Sequence, residues 1–251
     1  MTGTGIGLAR AAIEAHGGTE RWRRVRELVV RLRSGGFALA ARWQRNAFRE
    51  YEARISVGES RLLAHPYGGA GRTGVFEHGN VRIVSAKQTL VEERLDARAY
   101  FGRFRRRIWW DRCDALFFGA YAIWNYFQIP FLFERDGFEL TELESWREQG
   151  ETWRRLRAVF PPDVPTHSQI QDFYFDSSFR LRRHDYTAEV FGSWARAAHY
   201  CLEQRTYSGL VFACKRRVFP RKADNQSRGF PTLVWIDVDD VQVIDAGSSG
   251  E

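Results

Sequence analysis

The sequence predicts a mainly β (α+β) fold, with one antiparallel sheet of about eleven strands curled over helices that cover its concave side. Three observations carry this reading. Alternating apolar and polar runs recur about every ten residues, separated by turns rich in Gly, Asn and Asp. Residues 115–133 form a stretch of nineteen uncharged residues with eight aromatics, long enough to plug the concave face of a sheet. No Pro-, Gly- or Ser-rich linker divides the 251 residues, so a sheet this wide must curl or split in two.

The chain reads as a single domain, 1–251. Residues 1–24 carry N-terminal helices, the first ended by His16-Gly17-Gly18 and the second capped by Thr19. Residues 25–86 read as strands, opening with a hairpin of Glu27–Arg33 and Phe37–Trp43 about Gly35-Gly36. Residues 90–133 form a helical lid. Leu90 to Phe101 has helical composition, Arg103-Phe104-Arg105-Arg106-Arg107 is a connector, and Pro130 ends the aromatic helix near Gln128. Residues 138–243 return to strands, with a mobile polar segment over 221–228, and 244–251 form a flexible tail.

Composition excludes several classes. A hydrophobic fraction of 44% with nine Trp, nine Tyr and nineteen Phe is that of a packed chain, not a disordered one. The net charge is +7, but only Lys87, Lys215 and Lys222 are lysine, and no RNP-type motif accompanies the arginines, so nucleic acid is not an expected partner. Arginines mixed with apolar residues, as at Arg21–Arg26 and Arg180–Arg183, fit outward faces of strands whose stems cover apolar surface. Asn125, Gln128 and Pro130 interrupt the uncharged stretch, so stable membrane insertion is not expected. A looser membrane-surface contact through Arg103–Arg107 is a further possibility. Cys113, Cys201 and Cys214 are odd in number and widely spaced, and 1–18 lacks a secretory pattern; both point to a cytoplasmic protein. Oligomeric state is not legible.

Ala15-His16-Gly17-Gly18-Thr19-Glu20-Arg21-Trp22, followed by alternating strands, resembles the opening of bacterial proteins related to the lipoprotein carriers LolA and LolB. Arg183-His184-Asp185-Tyr186-Thr187-Ala188-Glu189-Val190 and Ala197-Ala198-His199-Tyr200 are similar to a cytoplasmic subgroup of them. The resemblance spans most of Ile6 to Val243 and implies a half-open β-barrel whose helices close an apolar cavity for acyl chains. The carriers use a signal peptide or a lipid-anchoring cysteine. Residues 1–18 show neither, so the resemblance implies the cavity and leaves its cargo open.

Candidate chemistry gathers on two neighbouring strands. His184, Asp185 and Tyr186 lie on one, His199 and Tyr200 on the next; alternation puts His184 and Tyr186 on one face and Asp185 on the other. An imidazole beside Tyr or Asp suits general acid–base work at neutral pH. The alternative is that these are hydrogen-bonded sheet residues. His167, His184, Asp185 and His199 have no recognised metal spacing, there is no nucleophile elbow, and no phosphate loop precedes a helix, so neither metal nor cofactor is expected.

The ligand is expected at the aromatic helix, against Phe117, Tyr121, Trp124, Phe127 and Phe131, where Tyr121 and Trp124 add polar tips to an apolar wall. A fully packed core is the alternative. The resulting expectation is a protein that encloses a hydrophobic small molecule and performs a cofactor-independent cyclisation, isomerisation or elimination in specialised metabolism. The rival is a carrier or sensor without catalysis.

Overall fold

The computed structural model describes residues 3–247. Leu8, Ala9, Ala12 and Ile13 fall at helical spacing and are buried together on α1 (Ile6–Ala15). Gly17, at φ +123°, lets the chain leave that helix, and a Cβ there would meet the Gly209 carbonyl oxygen at 2.4 Å. Gly18, not Thr19, takes the cap position of α2 (Thr19–Trp22). The Thr19 hydroxyl instead donates to Glu134 Oε1 at 2.5 Å, tying the N-terminal helices to the 3-10 turn Phe131–Glu134.

Thirteen strands form one antiparallel sheet, against the expected eleven or so. The first leg comprises β1 (Val25–Gly35), β2 (Tyr51–Ser56), β3 (Arg61–His65), β4 (Thr73–Glu77), β5 (Asn80–Val84) and β6 (Leu90–Arg94). The second comprises β7 (Glu139–Glu148), β8 (Glu151–Val159), β9 (Ile170–Phe175), β10 (Leu181–Thr187), β11 (Arg196–Tyr207), β12 (Leu210–Pro220) and β13 (Val234–Asp245). β13 pairs back on β1, so the two meanders join at their middle and leave β6 and β7 as the open edges.

Two expected elements differ. Phe37–Trp43 is not the second arm of a hairpin. Pairing of β1 with β13 ends at Gly35, Gly36 turns at φ +130°, and the Ala-rich Phe37–Ala40 forms a single helical turn, α3. Leu90–Phe101 is not a helix. Leu90–Arg94 pairs with β5 as an edge strand and Ala97–Gly102 is a 3-10 turn, so sheet extension overrides the helical propensity of the Glu92-Glu93-Arg94 run. Residues 244 and 245, expected in a tail, continue β13; residues 248–251 of that tail lie outside the described residues.

The central helix α4 (Arg112–Gln128) carries the core. Its N-terminus is a reciprocal capping box: Asp111 accepts from the Asp114 amide and Asp114 from the Asp111 amide, each at 3.0 Å. Arg94 bridges both carboxylates, and Arg106 binds Asp111 at 3.0 Å and Asp114 at 2.6 Å. The helix ends at Gln128, as expected from Pro130, with Ile129 extended. From Cys113 to Gln128 every residue except Gly119 is buried, so α4 has no solvent face and the sheet must wrap it. On one side Trp124 Nε1 donates to the Glu59 carbonyl at 2.7 Å. On the other, Tyr126 O accepts from Arg216 of β12 at 3.0 Å. The concave face is therefore filled by α4 itself.

Asp114→Ala would leave two buried guanidinium groups facing the lone Asp111 and remove half the capping box. Urea denaturation of the variant should show a loss of about 3–5 kcal/mol; a loss under about 1 kcal/mol would contradict this reading of the cap.

Candidate functional site

β10 and β11 pair in a register that sets His184 opposite His199 and Arg183 opposite Tyr200. Strand alternation then sorts the side chains onto two faces. His184, Tyr186 and His199 point inward against α4; Asp185 and Tyr200 point outward with Arg183. The five candidate acid–base residues thus form two separate clusters, and Asp185 joins neither histidine.

The inward cluster is a buried chain of hydroxyls and imidazoles. Tyr126 is its hub: its hydroxyl lies 2.7 Å from His167 Nε2 and 3.0 Å from the Tyr186 hydroxyl. Tyr121 meets the other ring nitrogen of His167, Nδ1, at 3.0 Å. The His167 and Tyr186 rings stack at 3.9 Å. His184 Nε2 contacts Gln171 Oε1 at 2.5 Å, and His199 lies edge-on to Tyr126 at 4.5 Å with neither ring nitrogen hydrogen-bonded. Burial holds the His167 pKa down at about 3, helped by Arg98. It pushes His184 and His199 well below the usual imidazole range, with His167 and Arg216 adding to the effect. All three are neutral at pH 7 and sealed from solvent.

The outward cluster is a closed ion-pair knot. Arg183 is fully buried, donates to both Asp185 oxygens at 2.7 and 2.8 Å, to Glu148 Oε2 at 2.6 Å and to the Asn225 carbonyl at 2.5 Å. The Tyr174 hydroxyl donates to Asp185 at 2.9 Å and that of Tyr200 to Glu148. Trp146, Tyr174 and Tyr200 present ring faces to the guanidinium. Asn225 lies in the polar 221–228 segment, which here folds back over the knot rather than standing free. Arg183 was not among the sequence candidates; its signal, a charge alternating with Asp185 on a strand, is ordinary for a solvated face.

The expected ligand residues are core residues. Phe117 packs on Phe76, Phe127 on Phe212, Phe131 stacks on Trp22 at 4.2 Å, Trp124 donates to the Ser56 and Glu59 carbonyls, and Tyr121 belongs to the His167 chain. Among the surface pockets, one of about 470 Å³ takes in Phe117 beside Gly58, His78 and Pro165, and the predominantly apolar one is a groove of about 360 Å³ at one end of the wrap, between α3, the ends of β10 to β13 and the 188–195 loop. Phe118 is its contribution from α4. The Tyr186 ring, Ala188, Ala197 and Val218 form its floor, and Phe191 and Leu233 its sides. Phe37 and Trp194 stand at its mouth, 56% and 73% exposed, an unusual exposure for large aromatics. Sequence reading missed this groove because α3 read as a strand and 190–194 as a bare connection.

Among the described residues no group of three or more His, Cys, Asp or Glu is placed to hold a metal ion, and no helix is long and apolar enough to cross a membrane. The three cysteines are buried and free.

No family model and no curated protein sequence matches the chain. Solved structures do. A DUF1329 family protein from Desulfovibrio piger superposes with a TM-score of 0.54 at 12% identity, covering 99% of this chain and 96% of that one. An outer membrane lipoprotein-sorting protein domain from Vibrio parahaemolyticus gives 0.53 at 10% identity, covering 98% and 93%. The chain shares their fold. That shared fold is an open antiparallel sheet around a helix, and at these identities the likeness concerns architecture alone.

Four buried histidines set the acid sensitivity of this chain. Burial lowers His16 to about 4 and His167 to about 3, and holds His184 and His199 well below 6.5, whereas the unfolded chain protonates each near 6.5. The unfolded state therefore binds more protons below pH 6.5, and stability is full above that pH and falls as pH drops. Asp114 and Asp185, raised by burial, oppose the trend in the lower part of the window. The urea midpoint should fall steadily from pH 7 to 5; a flat profile would show these imidazoles to be solvated.

Proposed function

We propose that the chain is a non-catalytic carrier or sensor that holds a hydrophobic small molecule in the groove between α3 and the ends of β10 to β13. The observation that carries this reading is the groove itself. It is concave, walled by aliphatic and aromatic side chains, and falls at the lower end of the range of about 300–1,000 Å³ typical of ligand pockets. Its exposed aromatic mouth supports the same reading, since Phe37 and Trp194 would lose water on binding.

A carrier fits the surroundings better than an enzyme. The imidazoles of His184 and His199 are sealed beneath the floor, and the Tyr186 hydroxyl is turned away from the groove toward Tyr126. Each histidine is neutral with its pKa far below the working range, which deprives acid–base chemistry on a bound molecule of its proton donor. The likeness to a lipoprotein-sorting domain supports binding of a hydrophobic molecule by analogy of fold.

Fluorescence titration with the neutral apolar probe N-phenyl-1-naphthylamine tests this. The protein should give saturable enhancement, and Ala38→Trp, which fills the groove from its half-buried wall, should weaken it at least tenfold while leaving the thermal midpoint near that of the parent. Absence of enhancement, or equal enhancement from both proteins, would exclude the groove as the binding site.

A further inference from the structure

Most buried or half-buried arginines of this chain meet carboxylates: Arg94 and Arg106 at the α4 cap, Arg183 on Asp185 and Glu148, and Arg217 on Asp237. Arg42 does not. It follows α3 and lines the groove, with its guanidinium carbon 5.1 Å from the centre of the Phe191 ring. Among the described residues it makes no ion pair, and its Nε is buried without a hydrogen-bond partner. Partial burial pushes its pKa down, in keeping with a half-buried cation that has no carboxylate against it. A guanidinium in that state costs free energy unless something supplies the missing acceptor.

The rest of the groove has the same imbalance. Arg196 and Arg228 also line it, neither with a carboxylate partner among the described residues, and Arg221 turns its Nε toward Asp185 at 3.6 Å. Among the described residues no Asp or Glu lines the groove. An apolar trough therefore carries unmatched cationic groups and no anionic one. We infer that its occupant is a single-chain anionic amphiphile, a medium- or long-chain carboxylate whose apolar tail lies on the floor and whose head pairs with Arg42. This rests on the groove being a binding site and names the chemical class it takes. The choice of carboxylate follows from the planar fork of guanidinium, which meets two oxygens at once, and from a volume that suits one chain.

The test is displacement of N-phenyl-1-naphthylamine by decanoate and by 1-decanol, which share a chain length and differ in the charge of the head. Decanoate should displace the probe at a concentration at least tenfold lower than decanol. Arg42→Gln should bring the ratio of the two close to one, and Arg42→Lys should restore part of it. Because the ratio is taken within each protein, a change in overall affinity does not mimic the effect. Equal displacement by acid and alcohol, or a ratio unchanged in Arg42→Gln, would overturn the inference while leaving an apolar binding site in place. Failure of the probe and of decanoate, measured directly by calorimetry, to bind the parent protein would overturn both the site and its ligand class.

Discussion

The complete burial of α4 is the constraint from which the rest of the molecule follows. A helix with aromatics on every side has no face to give to water, so the sheet must bend until it meets the helix all round. Two antiparallel meanders joined through β1 and β13 supply that bend and leave β6 and β7 as the free edges. The entry of the helix is fixed by charge rather than by apolar contact. Arg94 on the edge strand and Arg106 in the 104–107 turn clasp the two capping aspartates, which locks the start of α4 to the sheet edge.

Because α4 occupies the concavity, polar side chains that face it must find partners within the protein. Tyr121, Tyr126, Tyr186 and His167 do so as one hydrogen-bonded chain, and the imidazoles stay neutral as a result of burial. A histidine-and-tyrosine cluster of this kind resembles a catalytic constellation in sequence and in place is a buried hydrogen-bonded network. The apolar groove lies at the end of the wrap, between α3, the 188–195 loop and the strand ends. There Arg42 is held over an aromatic ring with no acceptor.

Much of the architecture was legible in local pattern. Pro130 marked the end of α4, the alternation at His184, Asp185 and Tyr186 sorted them correctly onto opposite faces, and the ten-residue rhythm gave the antiparallel order. The failures share one cause, the priority of long-range pairing over local preference. Leu90–Arg94 has a helical composition and becomes a strand because β5 offers an edge; Phe37–Ala40 alternates acceptably and becomes a helical turn because its sheet partner has run out. The groove was not legible at all. It is assembled from residues near 38, 118, 188, 218 and 233, and the lack of a partner for Arg42 is a property of the folded surroundings that no spacing records.

Native mass spectrometry of the protein, after incubation with a total lipid extract and removal of unbound lipid, tests the central claim of a ligand groove most directly. A single equivalent of an acyl carboxylate retained on the folded protein is the expected result. A spectrum showing only the bare chain under conditions that preserve a known lipid-binding control would contradict it.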